Sequence, residues 1–117
     1  MTTRTVRGEI SLPRTALPPQ AAFVVVQVED VSRADAPSEV VGEQRLAGLE
    51  LHPGDVIPFE VEVDADALDE RARYSVRVHI DVEGSGEVDA GDLVSTQSYP
   101  VLTGGNADEA EVEAHLI

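Results

Sequence analysis

The sequence predicts an all-β protein, a single antiparallel β-sandwich of about seven strands, immunoglobulin- or transthyretin-like, with helix limited to one or two short turns. Three observations predict it. Short runs of strict apolar–polar alternation recur along the chain, the period of a half-buried strand. Turn-forming residues, among nine Gly and seven Pro, separate those runs. Only the stretch ADALDERAR, residues 65–73, has helical character, and nine residues are too few for an independent helix.

Val6, Gly8, Ile10 and Leu12 alternate with Arg7, Glu9 and Ser11 and read as a first strand. The segment LPRTALPPQA follows, whose prolines 13, 18 and 19 block both helix and ladder, so an extended connection is expected. In AFVVVQVEDV, residues 22–31, the β-branched run marks a strand buried on much of both faces, with Val24, Val26 and Val28 as the inner set. SRADAPSE, 32–39, is a loop. VVGEQRL, from Val40, is a strand whose register is open, because Val40 and Val41 compete for the inner face. His52-Pro53-Gly54-Asp55 is a turn. After it Ile57, Phe59, Val61 and Val63 alternate inward, and Pro58, which has no N–H to donate, is expected to face solvent or a bulge. Asp66 is a candidate cap for a single helical turn.

The clearest strand is the next, with Tyr74, Val76, Val78, Ile80 and Val82 on one face and Ser75, Arg77, His79, Asp81 and Glu83 on the other. A Gly-rich acidic loop, residues 84–92, leads to a returning strand from Leu93 to Ser98, ended by Pro100. TGGNADE, 103–109, is a turn. The last strand places Ala110, Val112, Ala114 and Leu116 inward, with Glu111, Glu113 and His115 outward. Two Phe, two Tyr and no Trp make the core aliphatic, and the Cys…Trp…Cys signature of antibody-type domains is absent.

The 117 residues are read as one domain, 1–117. Eight basic residues, all of them Arg, stand against 23 acidic ones for a net charge of −15. Such a surface repels nucleic-acid phosphates and anionic headgroups, so nucleic acid is not an expected partner. No stretch approaches the ~20 apolar residues of a membrane span, so no direct membrane insertion is expected. The absence of Cys leaves no disulfide, thiolate nucleophile or lipid-bearing Cys in the chain as given. MTTRTVRGEI lacks the apolar segment of a secretory signal, which points to the cytoplasm, with the bacterial envelope as the alternative where a signal has been removed.

The candidate ligand site is DVEGSGEVDAGD, residues 81–92. On a twelve-residue calcium loop it places Asp81, Glu83 and Ser85 at positions 1, 3 and 5, and Gly86 at the turn position 6. The carbonyl of Glu87 falls at 7, Asp89 at 9 and Asp92 at 12. Hard oxygen donors at this spacing suit Ca²⁺, although position 12 is Asp rather than a bidentate Glu and strands replace the flanking helices. The other reading is a solvated acidic hairpin. His52, His79 and His115 do not cluster in sequence, and His79 and His115 are expected on outer faces. Gly84-Ser85-Gly86 is not a nucleophile elbow. No catalytic or zinc arrangement stands out, and the chain is not read as an enzyme.

The segments VRGEISLP, ALPPQAAFVVVQVEDVSRADAPSEVVGEQ, IPFEVEVD, YSVRVHIDV and STQSYPVLTGG together resemble the YbaY/YscW-like family, the type III secretion pilotin-like lipoproteins. The resemblance spans about residues 6–117. Its most specific pieces are Ala16-Leu17-Pro18-Pro19, Val28-Glu29-Asp30-Val31-Ser32, Asp35-Ala36-Pro37 and Tyr99-Pro100-Val101-Leu102-Thr103. It implies a small β-sandwich, usually carried on a lipoprotein of the bacterial envelope, some members of which help an outer-membrane secretin assemble. It supplies no catalytic residues. The expected function is a non-catalytic assembly helper that meets another protein, with an exposed edge strand as the mode of contact. The alternative is an acidic structural module with a weak calcium-binding hairpin at 81–92.

Overall fold

Alternation along the chain becomes two facing sheets in the computed structural model, which describes residues 2–33 and 35–117. Met1 and Ala34, the latter within the loop expected over 32–39, lie outside the described residues. The strands are β1 (Thr3–Ser11), β2 (Gln20–Asp30), β3 (Glu39–Glu50), β4 (Val56–Asp64), β5 (Tyr74–Asp81), β6 (Leu93–Val94), β7 (Pro100–Val101), β8 (Glu109–Glu113) and β9 (His115–Leu116). One sheet has the order β4-β1-β8, the other β3-β2-β5-β6-β9, with β7 also paired to β5. Pairing is antiparallel throughout except between β1 and β8, which run parallel. Among the described residues helix is confined to a 3-10 turn, Ala65–Ala67.

The expected inner sets meet in one aliphatic core. Val6, Ile10, Val24, Val26, Val28, Val61, Val78, Ile80 and Val112 are fully inaccessible, and Ile57, Phe59, Val63 and Val76 are buried with them. Burying such side chains stabilises the fold by about 1.5–3 kcal/mol each. Gly8 serves this packing by its size. A Cβ at this position would overlap the Ala110 carbonyl and the end of the Phe59 ring, so glycine lets β1, β4 and β8 close on one another.

The structure departs from the sequence expectations at four places, each with a local cause. The open register of β3 is resolved by a bulge: Val28 faces Gly42 while Glu29 faces Val40, so Val41 is the extra residue. Val41 packs on the core and Val40 is exposed. The returning strand expected over 93–98 shortens to Leu93–Val94 and resumes at Pro100–Val101. Serine hydroxyls interrupt it, the Val78 N–H donating to Ser95 Oγ (2.9 Å) and the Tyr99 N–H to Ser75 Oγ (2.9 Å). The last strand splits at Ala114. The Ala114 N–H donates to the Ser11 carbonyl in the three-stranded sheet, and the Ile117 N–H to the Asp92 carbonyl beside the other. Leu116, expected inside, is therefore 44% exposed. The 3-10 turn is capped by Asp64, whose Oδ1 accepts from the Asp66 N–H at 3.0 Å, rather than by Asp66.

Candidate functional site: the acidic loop and the sheet edges

β5 ends at Asp81, and Gly84, Gly86 and Gly91 all take positive φ, which lets the acidic loop fold back over the strand. Folding back buries two of its carboxylates. Asp81 is 2% exposed; its Oδ1 accepts from the Gly84 N–H at 2.9 Å and its Oδ2 from the Gly86 N–H at 2.8 Å. Asp92 is 1% exposed; its Oδ1 accepts from the Val82 N–H at 3.0 Å, and its Oδ2 from the Asp89 N–H at 3.0 Å. His79 Nε2 reaches the same Oδ2 at 2.8 Å, so with Asp92 ionised that nitrogen carries the proton and donates. Burial acts to raise the Asp92 pKa, but the His79 hydrogen bond and the two amides together outweigh it and hold the carboxyl below its ordinary value of 3.8.

Of the six candidate calcium ligands, the structure brings Asp81 and Asp92 together, with His79 as third member; one donor atom of each lies within 4.8 Å of the others. Ser85 Oγ donates to Asp89 Oδ2 at 2.5 Å, apart from that cluster, and the Glu87 N–H donates back to Ser85 Oγ at 3.2 Å. Glu83 and Glu87 project into solvent. The inner carboxylates thus accept from loop amides that would otherwise lack partners, and they staple the loop to β5. Sequence reasoning missed His79, which is half-buried rather than outward on a free face. Its alternation with Asp81 placed both on one face; that the loop returns across that face was not written in the strand itself. Beneath the loop, the outer face of β2, β3 and β5 forms a cleft of about 300 Å³. It is lined by Phe23, Val25, Arg45, Arg77, His79 and Val88, and the Arg45 guanidinium stands 5.0 Å over the Phe23 ring.

The second candidate feature is the set of sheet edges, where unpaired backbone groups could accept another strand. The parity of β4 turns Val56, Pro58, Glu60 and Glu62 away from β1, and three of these four positions offer no free donor. The Val56 N–H donates to Asp55 Oδ1 at 2.9 Å, Pro58 has none, and the Glu60 N–H donates to Gln44 Oε1 at 2.8 Å. β3 is interrupted by its bulge and by Gly48 at φ 65°, and a Cβ at Gly42 would strike β4, so its first half is pressed against that strand. β7 and β9 are two residues long.

β8 is different. The Arg7 N–H donates to the Asp108 carbonyl and the Ala114 N–H to the Ser11 carbonyl, so Ala110, Val112 and Ala114 face β1. Glu109, Glu111 and Glu113 therefore turn their backbone groups outward. The Tyr99 hydroxyl accepts from the Glu113 N–H at 2.9 Å. Among the described residues no strand pairs with the outer side of Glu109 and Glu111.

Comparison with known proteins adds family and fold. The family model described as type III secretion system lipoprotein chaperone (YscW) matches residues 1–114. Among solved structures, an alternative pilotin from the type II secretion system of Vibrio cholerae has the same fold, with a TM-score of 0.73 over 97% of this chain and 98% of that one. The two are 23% identical. No curated protein matches the chain.

Proposed function

The chain belongs to the YscW family of type III secretion system lipoprotein chaperones, and we propose that it is a non-catalytic assembly helper that holds a segment of another protein along the outer edge of β8. The observation that carries this reading is the state of the edges. Asp55, Pro58 and Gln44 close β4, irregularity breaks β3, and Tyr99 covers one end of β8, which leaves the backbone of Glu109 and Glu111 for an added strand. Main-chain hydrogen bonds would supply affinity there without any catalytic group. The family's lipoprotein character supports the bacterial envelope rather than the cytoplasm as the place of work. Together with the fold shared with a type II pilotin, it makes a component of an envelope secretion machine, such as a secretin, the expected partner. Among the described residues no helix is long and apolar enough to cross a membrane.

The test is capture from source cells of a tagged full chain, with partners identified by mass spectrometry and compared between variants. Glu111→Pro deletes an outward N–H while leaving the β1 ladder intact, because the Glu111 amide does not face β1. Loss of one envelope protein with Glu111→Pro, and its retention with Glu83→Gln, supports the edge reading. Equal capture by Glu111→Pro and the unaltered chain sinks it.

A further inference from the structure

We infer that the segment received by the β8 edge is a cationic extended strand, with Arg or Lys at alternate positions and small or apolar residues between them. The inference rests on the edge reading above and concerns the chemistry of the occupant. On the outer face of the three-stranded sheet, cross-strand register sets Glu60, Arg7 and Glu109 in one row and Pro58, Glu9 and Glu111 in the next. Arg7 is committed to Glu60, with Nε 2.9 Å from Oε1. Glu9 and Glu111 therefore stand directly opposite each other, and among the described residues no ion pair reaches either, an arrangement that costs sheet stability until a cation is supplied.

A strand added beyond β8 extends both rows by one column. Its outer-face side chains would lie beside Glu109 and Glu111, at the roughly 4.5–5.5 Å Cβ spacing of cross-strand pairs. Basic side chains at those alternate positions remove the like-charge opposition. Its other side chains fall beside Ala110 and Val112, which are buried, so they must be small or apolar. The face also has room for long side chains, because the same two rows wall a cleft of about 650 Å³. An Arg or Lys stem on the added strand can lie along Glu111, the nearer member of its row, while its charged head reaches on toward Glu9 on β1. The glutamates also argue against a second copy as occupant, since two β8 edges brought together would align acid with acid.

The probe is a synthetic peptide of alternating Arg and Val, with blocked termini, titrated calorimetrically into the full chain in ~0.1 M salt, where charges beyond about 10 Å are screened. Its partner probe has Ser in place of each Arg. Two lost cross-strand charge pairs correspond to about a tenfold weakening, so Glu109→Gln with Glu111→Gln, the two glutamates beside the added strand, should weaken the Arg peptide by about that factor. The double variant Glu83→Gln with Glu87→Gln, equal in charge but on the exposed loop, should leave the affinity within about twofold. Circular dichroism confirms that each variant is folded. Equal weakening by the loop variant means attraction to the net charge alone and overturns the inference. Equal affinity of the Ser and Arg peptides, both lost in Glu111→Pro, overturns the cationic occupant and leaves the edge reading standing. No binding of either peptide, together with unimpaired cellular capture by Glu111→Pro, overturns both.

Discussion

Replacing Asp92 by Asn tests whether the acidic loop is held by its own buried carboxylates. Asn keeps the size of Asp and loses the charge and one acceptor. Asp92 accepts three hydrogen bonds, from the Val82 and Asp89 amides and from His79 Nε2. With Asn, the carbonyl oxygen can still receive the Val82 N–H, and a His79 tautomer protonated on Nδ1 can accept from the new amide group. The Asp89 N–H then faces a donor and loses its partner. A buried donor left unsatisfied costs about 1–3 kcal/mol, and loss of the charge-assisted bonds adds to it, so ~2–3 kcal/mol is expected. At an unfolding entropy of ~2.1 cal/mol/K per residue, each kcal/mol lowers the melting midpoint of a chain this size by about 4 °C, giving roughly 10 °C in all. The pH dependence has a definite sign. The folded pKa of Asp92 is lowered, so its stabilisation is complete above about pH 4 and is lost as the pH falls through the folded value. Thermal melts of the original and Asp92→Asn chains should therefore differ most near neutrality and converge below pH 4. A difference under ~2 °C at neutral pH, or one that persists unchanged into acid, would refute the stapling argument. Glu83→Gln, at an exposed site of the same loop, should change stability by no more than about 0.5 kcal/mol.

Two further substitutions test the core. Val78→Ala removes two methyl groups from a fully inaccessible site and should cost about 1–3 kcal/mol in urea unfolding, whereas Arg77→Ala, on the outer face, should cost under about 0.5; equal losses would contradict the register of β5. Gly8→Ala should cost at least ~1–3 kcal/mol, because the new methyl group overlaps the Ala110 carbonyl and backbone must move to admit it; a neutral effect would mean that β1 and β8 do not approach as closely as described.

What was legible in the sequence is what depends on near neighbours. Period-two alternation named the inner residues of β1, β2, β4 and β5, and Pro58 announced a strand whose nitrogen faces away from the ladder. The misses arise where a partner distant in the chain decides. Val40 and Val41 are chemically equivalent, and the bulge opposite Val28 is what seats one and exposes the other. Ala114 reads like any inward residue of a continuous strand, yet the strand changes sheets there, because β8 pairs with β1 while β9 pairs with β6.

The same distinction governs the sites. Loop spacing put Asp81 and Asp92 at the ends of a calcium-like pattern, but what a carboxylate is disposed to do depends on which donors reach it. Asp81 takes its donors from three and five residues ahead, a local Asx-type arrangement that the Asp-x-x-Gly spacing already hints at. Asp92 takes one from His79, which only the folding-back of the loop supplies. Edge openness is still less local. Nothing near Glu60 shows that Gln44 will occupy its amide, and nothing near Glu111 shows that a parallel β1 will set Glu9 beside it. In the chain Glu109, Glu111 and Glu113 are three outward residues of an ordinary amphipathic strand. In the fold, two of them become an acid-lined edge with outward backbone groups, and the proposal of a basic rather than a neutral or acidic occupant rests on this pairing of main-chain groups with charge.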